Sequence, residues 1–216
     1  LEPTPRPPQR VNASAGAALV QDLFNAGVTV AYDQLGAIPL DTRSKRVSVI
    51  YPANRPAIRT QCERYGGELR WLGVGESPSD DDIARAVSVA RDSDLAVVFT
   101  SNAAFDLTQQ ALVRRLPAEK TVAVALFSPF DWQAFPGVAA YVTTYSPLPE
   151  AIPAACAVLF GAIPATGRLP VALDGARDFV NGGAQLTDGG ALSLLPRRTA
   201  LSGDNAASTQ VAALMF

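Results

Sequence analysis

Histidine is absent from the 216 residues, and lysine occurs only at Lys45 and Lys120. Without histidine the chain cannot build a Ser-His or Cys-His nucleophile system or a histidine metal site. Arginine supplies nearly all the positive charge, and no stretch clusters it with aromatic residues as a nucleic-acid surface does. We therefore expect no metal site and no nucleic-acid partner.

Long apolar runs and an excess of one charge are lacking as well. No apolar run reaches the roughly 20 residues that span a bilayer, and the formal net charge is only -2. The start lacks the charged-then-apolar pattern of a signal peptide. We expect no membrane embedding, while the cytoplasm, the cell envelope and the exterior all stay open as locations. The length allows one domain with a sizeable core but not two large domains.

Cysteine is scarce, with only Cys62 and Cys156 in the chain. They lie far apart and outside any C-x-x-C spacing, which excludes a metal ribbon or a redox motif. The pattern favours two buried free thiols, and a single long-range disulfide stays open.

Short apolar segments of strand type alternate with longer segments of helical period. The continuous apolar run at residues 95–99 is typical of a parallel strand covered on both faces. The alternation predicts an α/β fold, a three-layer α/β/α sandwich with a mostly parallel sheet and flavodoxin-like layering. Helices are predicted at residues 14–26, 57–65, 80–90, 107–116 and 150–160, the last broken near Pro153, and strands at residues 28–32, 47–51, 69–74, 95–99, 121–127 and 140–144.

The two ends of the chain differ from this alternating part. Residues 1–13 carry four prolines, which forbid a regular helix and predict an extended linker. Residues 174–216 contain two glycine pairs and no sustained period, which predicts an irregular glycine-rich tail. The sequence thus predicts a linker at 1–13, one domain at 14–173 and a tail at 174–216.

Two glycines, in Gly73-Val74-Gly75, lie at the end of the strand predicted at residues 69–74, where dinucleotide-binding proteins begin their G-x-G-x-x-G motif. The third glycine of that motif falls on Pro78, and the acids of residues 80–82 would repel a pyrophosphate. Ser79 with Asp82 instead predicts a capping box at the start of the next helix. We expect no bound cofactor.

Polar residues follow three successive predicted strands. The carboxyl ends of parallel strands share one edge, where ligands or partner domains bind. Ordinary turn roles account for the same residue types equally well. The candidate contact residues are Asn102, Asp131 and Tyr145, and Glu76, which follows an earlier strand, is expected to be a solvated turn residue outside this three-loop edge.

These loops belong to a set of motifs that resembles the C-terminal domain of family 3 glycoside hydrolases, in particular the bacterial two-domain β-N-acetylglucosaminidases. The resemblance covers residues 14 to 173, and the motifs occur in the family's order. Residues 31–33 depart from it, and Phe130 replaces a commoner tyrosine. The motifs are Thr100-x-Asn102-Ala103, Gln110-x-Leu112-Val113-x-x-Leu116, Ser128-Pro129-Phe130-Asp131-x-x-x-Phe135-Pro136, Tyr141-x-x-Thr144-Tyr145, Val158-Leu159-Phe160-Gly161 and Gly167-Arg168-Leu169-Pro170-Val171.

The resemblance implies an accessory domain that follows an N-terminal catalytic barrel in the same polypeptide. The family's retaining chemistry needs two groups about 5 Å apart, and the resemblance places both on the barrel in the N-acetylglucosaminidase branch. We therefore assign no catalytic residue and expect no activity without the barrel. Asn102, Asp131 and Tyr145 would contact the barrel or the muropeptide part of a peptidoglycan-derived carbohydrate substrate. The alternative is a free-standing flavodoxin-like module that binds a carbohydrate or a protein.

Overall fold

The computed structural model describes residues 13–134, 137–170 and 173, and the backbone of residues 184–186 and 192–194. The strands of the main sheet are β1 (Thr29–Asp33), β2 (Val47–Pro52), β3 (Leu69–Val74), β4 (Leu95–Thr100), β5 (Thr121–Ala125) and β6 (Ala140–Thr143). The helices are α1 (Ala13–Gly27), α2 (Ala57–Cys62), α3 (Asp80–Arg91), α4 (Leu107–Arg115) and α5 (Ala151–Leu159), with 3₁₀ turns at Ala103–Phe105, Ala118–Lys120 and Pro129–Ala134.

The six strands form one open sheet in the order β1-β6-β5-β4-β2-β3. All neighbouring pairs are parallel except β1 with β6, which is antiparallel. Helices cover both faces, so the predicted three-layer sandwich with a mostly parallel sheet is confirmed. The antiparallel edge strand was not part of that prediction, because a strand's direction depends on where the chain returns rather than on its own residues.

Alternate side chains of each strand enter two separate cores. One core packs Val97 and Val124 with residues of α2 and α5, while the other packs Val98 and Ala123 with residues of α3 and α4. Both faces of β4 and β5 are therefore buried, which explains why their sequences are apolar without interruption.

Helix α5 is not broken at Pro153, contrary to the sequence prediction. Pro153 is the third residue of the helix, in the first turn, where its missing N–H has no partner to lose. The capping box of α3 is confirmed: Ser79 accepts from the backbone N–H of Asp82, and the Asp82 carboxylate accepts from the Ser79 N–H.

The two cysteines form a disulfide between α2 and α5, so the expectation of free thiols was wrong. Their Cα atoms lie 4.9 Å apart although 94 positions separate them in sequence. Spacing alone could not reveal the pairing, because it requires two helices to pack side by side on one face of the sheet.

Part of the predicted tail has regular structure. Residues Ala184–Leu186 (β7) and Leu192–Leu194 (β8) form an antiparallel pair, with Leu186 opposite Leu192. Glycines between two short strand-like segments are typical of a hairpin. The prediction of an irregular tail missed this signal, because it depended on the absence of a sustained period. The predicted linker lies outside the described residues, apart from Ala13 in α1.

The chain after α5 wraps around the free edge of β1. Ile163 packs on one core and Leu169 on the other, and Gly167 crosses between them. The Gly167 N–H donates to the carbonyl of Val28 at 3.1 Å. A Cβ at Gly167 would lie within 3.0 Å of the Gly27 and Val28 carbonyl oxygens, so only glycine fits this crossing.

We predict that Gly167→Ala lowers the free energy of unfolding by about 1–3 kcal/mol, because the new methyl group overlaps backbone atoms that cannot move independently. Urea denaturation followed by circular dichroism measures the change. Gly16→Ala is the matched control: it lies in α1 with nothing within 4 Å of the added Cβ, and should stabilise by up to about 1 kcal/mol. Equal midpoints for both variants would contradict this account of the crossing.

Candidate functional site

The loops at the carboxyl edge of the sheet enclose a cleft of about 510 Å³. Because β2 to β6 are parallel, five loops meet at this edge rather than the three that the sequence analysis singled out. The cleft is lined by Arg55, Glu76, Ser77, Ser101, Asn102, Phe105, Asp106, Gln109, Phe127 and Pro147.

Arg55 joins three of these loops. Its guanidinium donates from Nη1 to the carbonyl of Pro147 and from Nη2 to Ser101 Oγ, each at 3.3 Å. Glu76 Oε1 lies 4.0 Å from Nη2, and Arg55 Nε is buried without a hydrogen-bond partner. Sequence reasoning missed Arg55, because an arginine two residues before a helix has no distinctive pattern.

The loop after β4 is held rigidly from its own helix. The amide of Gln109, which is buried, accepts from the N–H of Ser101 and donates to the Ser101 carbonyl. Asp106 caps α4 by accepting from the N–H groups of Thr108 and Gln109, and its other oxygen accepts from Ser77. Both residues use their hydrogen-bonding capacity to fix the loop.

Asp131 holds the same loop from beneath. It is fully buried, and its carboxylate accepts from Thr100 Oγ1 at 2.9 Å and from the Ala104 N–H at 3.0 Å. Burial raises its pKa above the ordinary value, although the hydrogen bonds oppose that shift. Asp131 therefore cannot touch a ligand or another domain directly, which corrects its predicted place on the surface.

The other two candidates lie at the same edge but face different neighbours. Asn102 adopts a left-handed conformation with φ of 63° and lines the cleft. Tyr145 also has a positive φ, of 59°, and its hydroxyl donates to Thr29 Oγ1 at 3.0 Å, facing β1 instead of the cleft. Such a φ is strained for a bulky side chain, so the hydroxyl contacts and packing must hold Tyr145 in place.

Large apolar side chains stand exposed on the loops around the cleft. Phe105, at the tip of the rigid loop, has 83% of its surface exposed, although phenylalanine is usually buried. Singly exposed apolar residues need no explanation, but a contiguous group of them marks an interaction surface. The exposed apolar residues here lie on or next to the loops that follow β4, β5 and β6, and Phe105 and Phe127 among them line the cleft. We call this group the apolar rim: Phe105, Leu107, Phe127, Phe130 and Leu148.

The arrangement is suited to binding. Glu76 is exposed, as expected, but it is not apart from the other loops, because it lines the cleft and accepts from Asn54 at 2.8 Å. Within the described residues no group of three or more His, Cys, Asp or Glu side chains could hold a metal. In the same part of the chain, no helix is long and apolar enough to cross a membrane.

Comparison with solved structures identifies the class of fold. A glycoside hydrolase family 3 β-N-acetylglucosaminidase from Paenibacillus sp. str. FPU-7 superposes with a TM-score of 0.67 and 23% identity over 80% of this chain. A fungal multi-domain family 3 β-N-acetylglucosaminidase gives 0.67 and 22% over 78%. A family 3 β-glucosidase from Bifidobacterium adolescentis gives 0.57 and 14% over 71%. The resemblance seen in the sequence is confirmed at the level of the fold.

The chain corresponds to only part of these hydrolases. It spans 35% of the Paenibacillus chain, 20% of the fungal chain and 28% of the Bifidobacterium chain. No family model matches the sequence, and no curated protein matches it.

We predict that Asp131→Ala destabilises the protein by about 2 kcal/mol or more, because the N–H of Ala104 and the hydroxyl of Thr100 lose a buried acceptor. Asp131→Asn keeps an acceptor and a donor in place without the charge and should cost less. Chemical denaturation of both variants at pH 7 measures the difference.

The stability of wild type and that of Asp131→Asn should depend differently on pH. Because the pKa of Asp131 is raised in the folded state, its contribution to stability is greatest below the ordinary aspartate pKa of about 4 and falls as the pH rises through the raised value. Asp131→Asn lacks this loss, so it should gain stability relative to wild type between about pH 4 and pH 7. A constant difference across that range would contradict the raised pKa.

Proposed function

We propose that this chain is an accessory, non-catalytic domain of a family 3 glycoside hydrolase of the β-N-acetylglucosaminidase type, acting with an N-terminal catalytic barrel of the same polypeptide. The fold and the partial coverage of the solved hydrolases support a domain of a larger enzyme. The observation that carries the proposal is the apolar rim, whose residues are exposed at the carboxyl edge of the sheet.

Rigidity distinguishes this surface from a merely mobile loop. Gln109 and Asp106 hold the loop after β4 from its helix, and Asp131 holds it from below. A preordered loop loses little conformational entropy on binding, so an exposed Phe105 can contribute its full apolar area to an interface. Aromatic anchors of this kind carry much of the energy of protein interfaces.

The cleft inside the rim suits a neutral polar ligand such as part of a carbohydrate substrate. Arg55 contributes one positive charge, while Glu76 and Asp106 contribute two negative charges, so an anionic ligand is disfavoured. Aromatic faces beside hydrogen-bonding side chains complement the apolar body and polar edge of a sugar. Asn102 faces this space and is the candidate that can contact substrate beyond the cleaved bond, while Asp131 and Tyr145 hold the loops in position.

The second candidate function, a free-standing carbohydrate- or protein-binding module, is supported by the same cleft. The two differ in what the rim contacts. An accessory domain needs the barrel to complete its surface, whereas a free-standing module binds its ligand with the rim exposed.

The deciding experiment is hydrolysis of a chromogenic N-acetylglucosaminide by this chain alone, mixed with a family 3 barrel domain, and fused to one. We expect no hydrolysis by this chain alone. We expect the barrel mixed with or fused to the chain to hydrolyse the substrate faster than the barrel alone. Hydrolysis by the isolated chain would overturn the non-catalytic assignment. No effect on the barrel, together with saccharide binding by the chain alone, would favour the free-standing module.

We predict that Phe105→Ala weakens association with the barrel roughly 30-fold, the factor that corresponds to a 2 kcal/mol interface anchor. Titration calorimetry or size-exclusion chromatography measures the affinity. Leu19→Ala is the matched control, since Leu19 is 61% exposed but lies on α1 outside the rim. Equal losses for the two variants would show that exposure alone, and not the rim, governs association.

We also predict that Asn102→Ala in the fused enzyme raises KM several-fold for an extended saccharide and leaves kcat nearly unchanged, because Asn102 contributes to binding and not to bond cleavage. KM for a minimal chromogenic substrate should stay constant, since that substrate does not reach the cleft. Asn102→Gly, which also tolerates the left-handed backbone, separates loss of the side chain from distortion of the loop. Unchanged KM for the extended substrate in both variants would refute the contact.

A further inference from the structure

A disulfide joins the two helices that follow the loops meeting at Arg55. Arg55 lies two residues before α2, and Pro147, which accepts its Nη1 hydrogen bond, lies four residues before α5. Cys62 is the last residue of α2, and Cys156 lies within α5. One covalent bond therefore joins the two helices into which these loops lead.

Helix α2 is short, and besides the disulfide it is held by Ile58, which belongs to the core, and by the Arg59 guanidinium, which lies over the Trp71 ring at 5.9 Å. It has six residues, its N-cap Pro56 provides no side-chain hydrogen bond, and only Ile58 and Cys62 within it are buried. A helix of this length is unstable without tertiary contacts. The ion pair of Arg59 with Glu63 is exposed on both sides and adds little.

Arg55 lies in the loop that leads into α2, and its carbonyl accepts from the N–H of Ile58 in that helix at 3.1 Å. Its two guanidinium hydrogen bonds are at the long end of the normal range, at 3.3 Å, and reach a backbone carbonyl and a serine hydroxyl. Its Nε is buried without a partner, so the position is imposed by the surrounding chain and not by an ideal set of bonds.

We propose that the Cys62–Cys156 disulfide positions Arg55 in the cleft, so that the cleft is complete only in the oxidised protein. In the reduced protein α2 separates locally from α5, while the sheet and the opposite helical layer stay folded. This dependence holds whether or not the chain acts with a hydrolase barrel.

Formation of the bond requires an electron acceptor. The two thiols together lose two protons and two electrons, and a small disulfide such as oxidised glutathione takes them up and becomes two thiols. Both cysteines are buried in the folded chain, so exchange requires α2 to open or takes place before folding is complete. The cleft is accordingly assembled in an oxidising environment and resists later reduction.

The test compares oxidised wild type, wild type refolded under a phosphine reductant, and the variant Cys62→Ala/Cys156→Ala. Limited trypsin digestion reports the opening of α2 through cleavage after Arg59, inside the helix, and the release of the exposed turn that follows it through cleavage after Arg64. Cleavage after Arg85 in α3 and Arg114 in α4 reports the opposite layer. We expect the α2 sites to be cut at least about 30-fold faster without the disulfide, the factor given by the lower end of disulfide stabilisation, and the other two at unchanged rates.

The position of Arg55 is measured separately. The signal chosen would stay unchanged if the disulfide stabilised the helices without positioning Arg55. In ¹⁵N-labelled protein the buried Nε–H of Arg55 should give an exchange-protected signal, assigned by its loss in Arg55→Lys. We expect this signal to lose protection in the reduced protein and in the alanine variant, while the backbone N–H of Ser101 keeps its protection through Gln109.

Three results would overturn the proposal. Unchanged cleavage after Arg59 and Arg64 would show that α2 does not need the bond. Faster cleavage at all four sites, or failure of both the reduced protein and the variant to fold, would show that the bond stabilises the whole domain. An open α2 with a protected Arg55 Nε–H would show that the cleft does not depend on it.

Discussion

The buried carboxylate of Asp131 is the contact on which the shape of the carboxyl edge depends. Its two oxygens connect the end of β4 to the 3₁₀ turn that follows Asn102. Burying a carboxylate is costly unless its lone pairs are satisfied, and here hydrogen bonds of about 1.5–3 kcal/mol each offset part of that cost. The net result, a raised pKa, shows that burial outweighs the hydrogen bonds. The same two hydrogen bonds tie the loop after β4 to the turn that carries Asp131.

Polar residues at this edge therefore divide into two kinds. Asp131 and Tyr145 make hydrogen bonds away from the cleft that determine where the loops lie, whereas Arg55 and Asn102 line the cleft; Gln109 does both, since it lines the cleft and bonds to Ser101. The residue type alone does not show whether a side chain positions a loop or faces the cleft, because aspartate and asparagine are common in turns in both situations. Only burial and hydrogen-bond partners distinguish the two kinds of residue. The residues that position the loops form a hydrogen-bonded support for the apolar rim.

The layers of the fold were predictable because each depends on local periodicity. Uninterrupted apolar strands required burial on both faces, and the Ser79 and Asp82 pair marked the start of α3. What escaped prediction depends on contacts between distant residues. The disulfide needs α2 beside α5, and the cleft needs the loop of Arg55 beside those of Ser101 and Pro147.

The same distinction explains why the site was only partly foreseen. Parallel strands brought the three predicted loops to one edge, but parallel pairing also brought the loops after β2 and β3, with Arg55 and Glu76. The order of strands in the sheet decides which loops are neighbours, and β2 lies directly beside β4 although β3 separates them in sequence. Arg55 can therefore reach Ser101 only because the chain crosses over between them. The cleft is a property of the topology, and the residues that line it became recognisable once the sheet order was known.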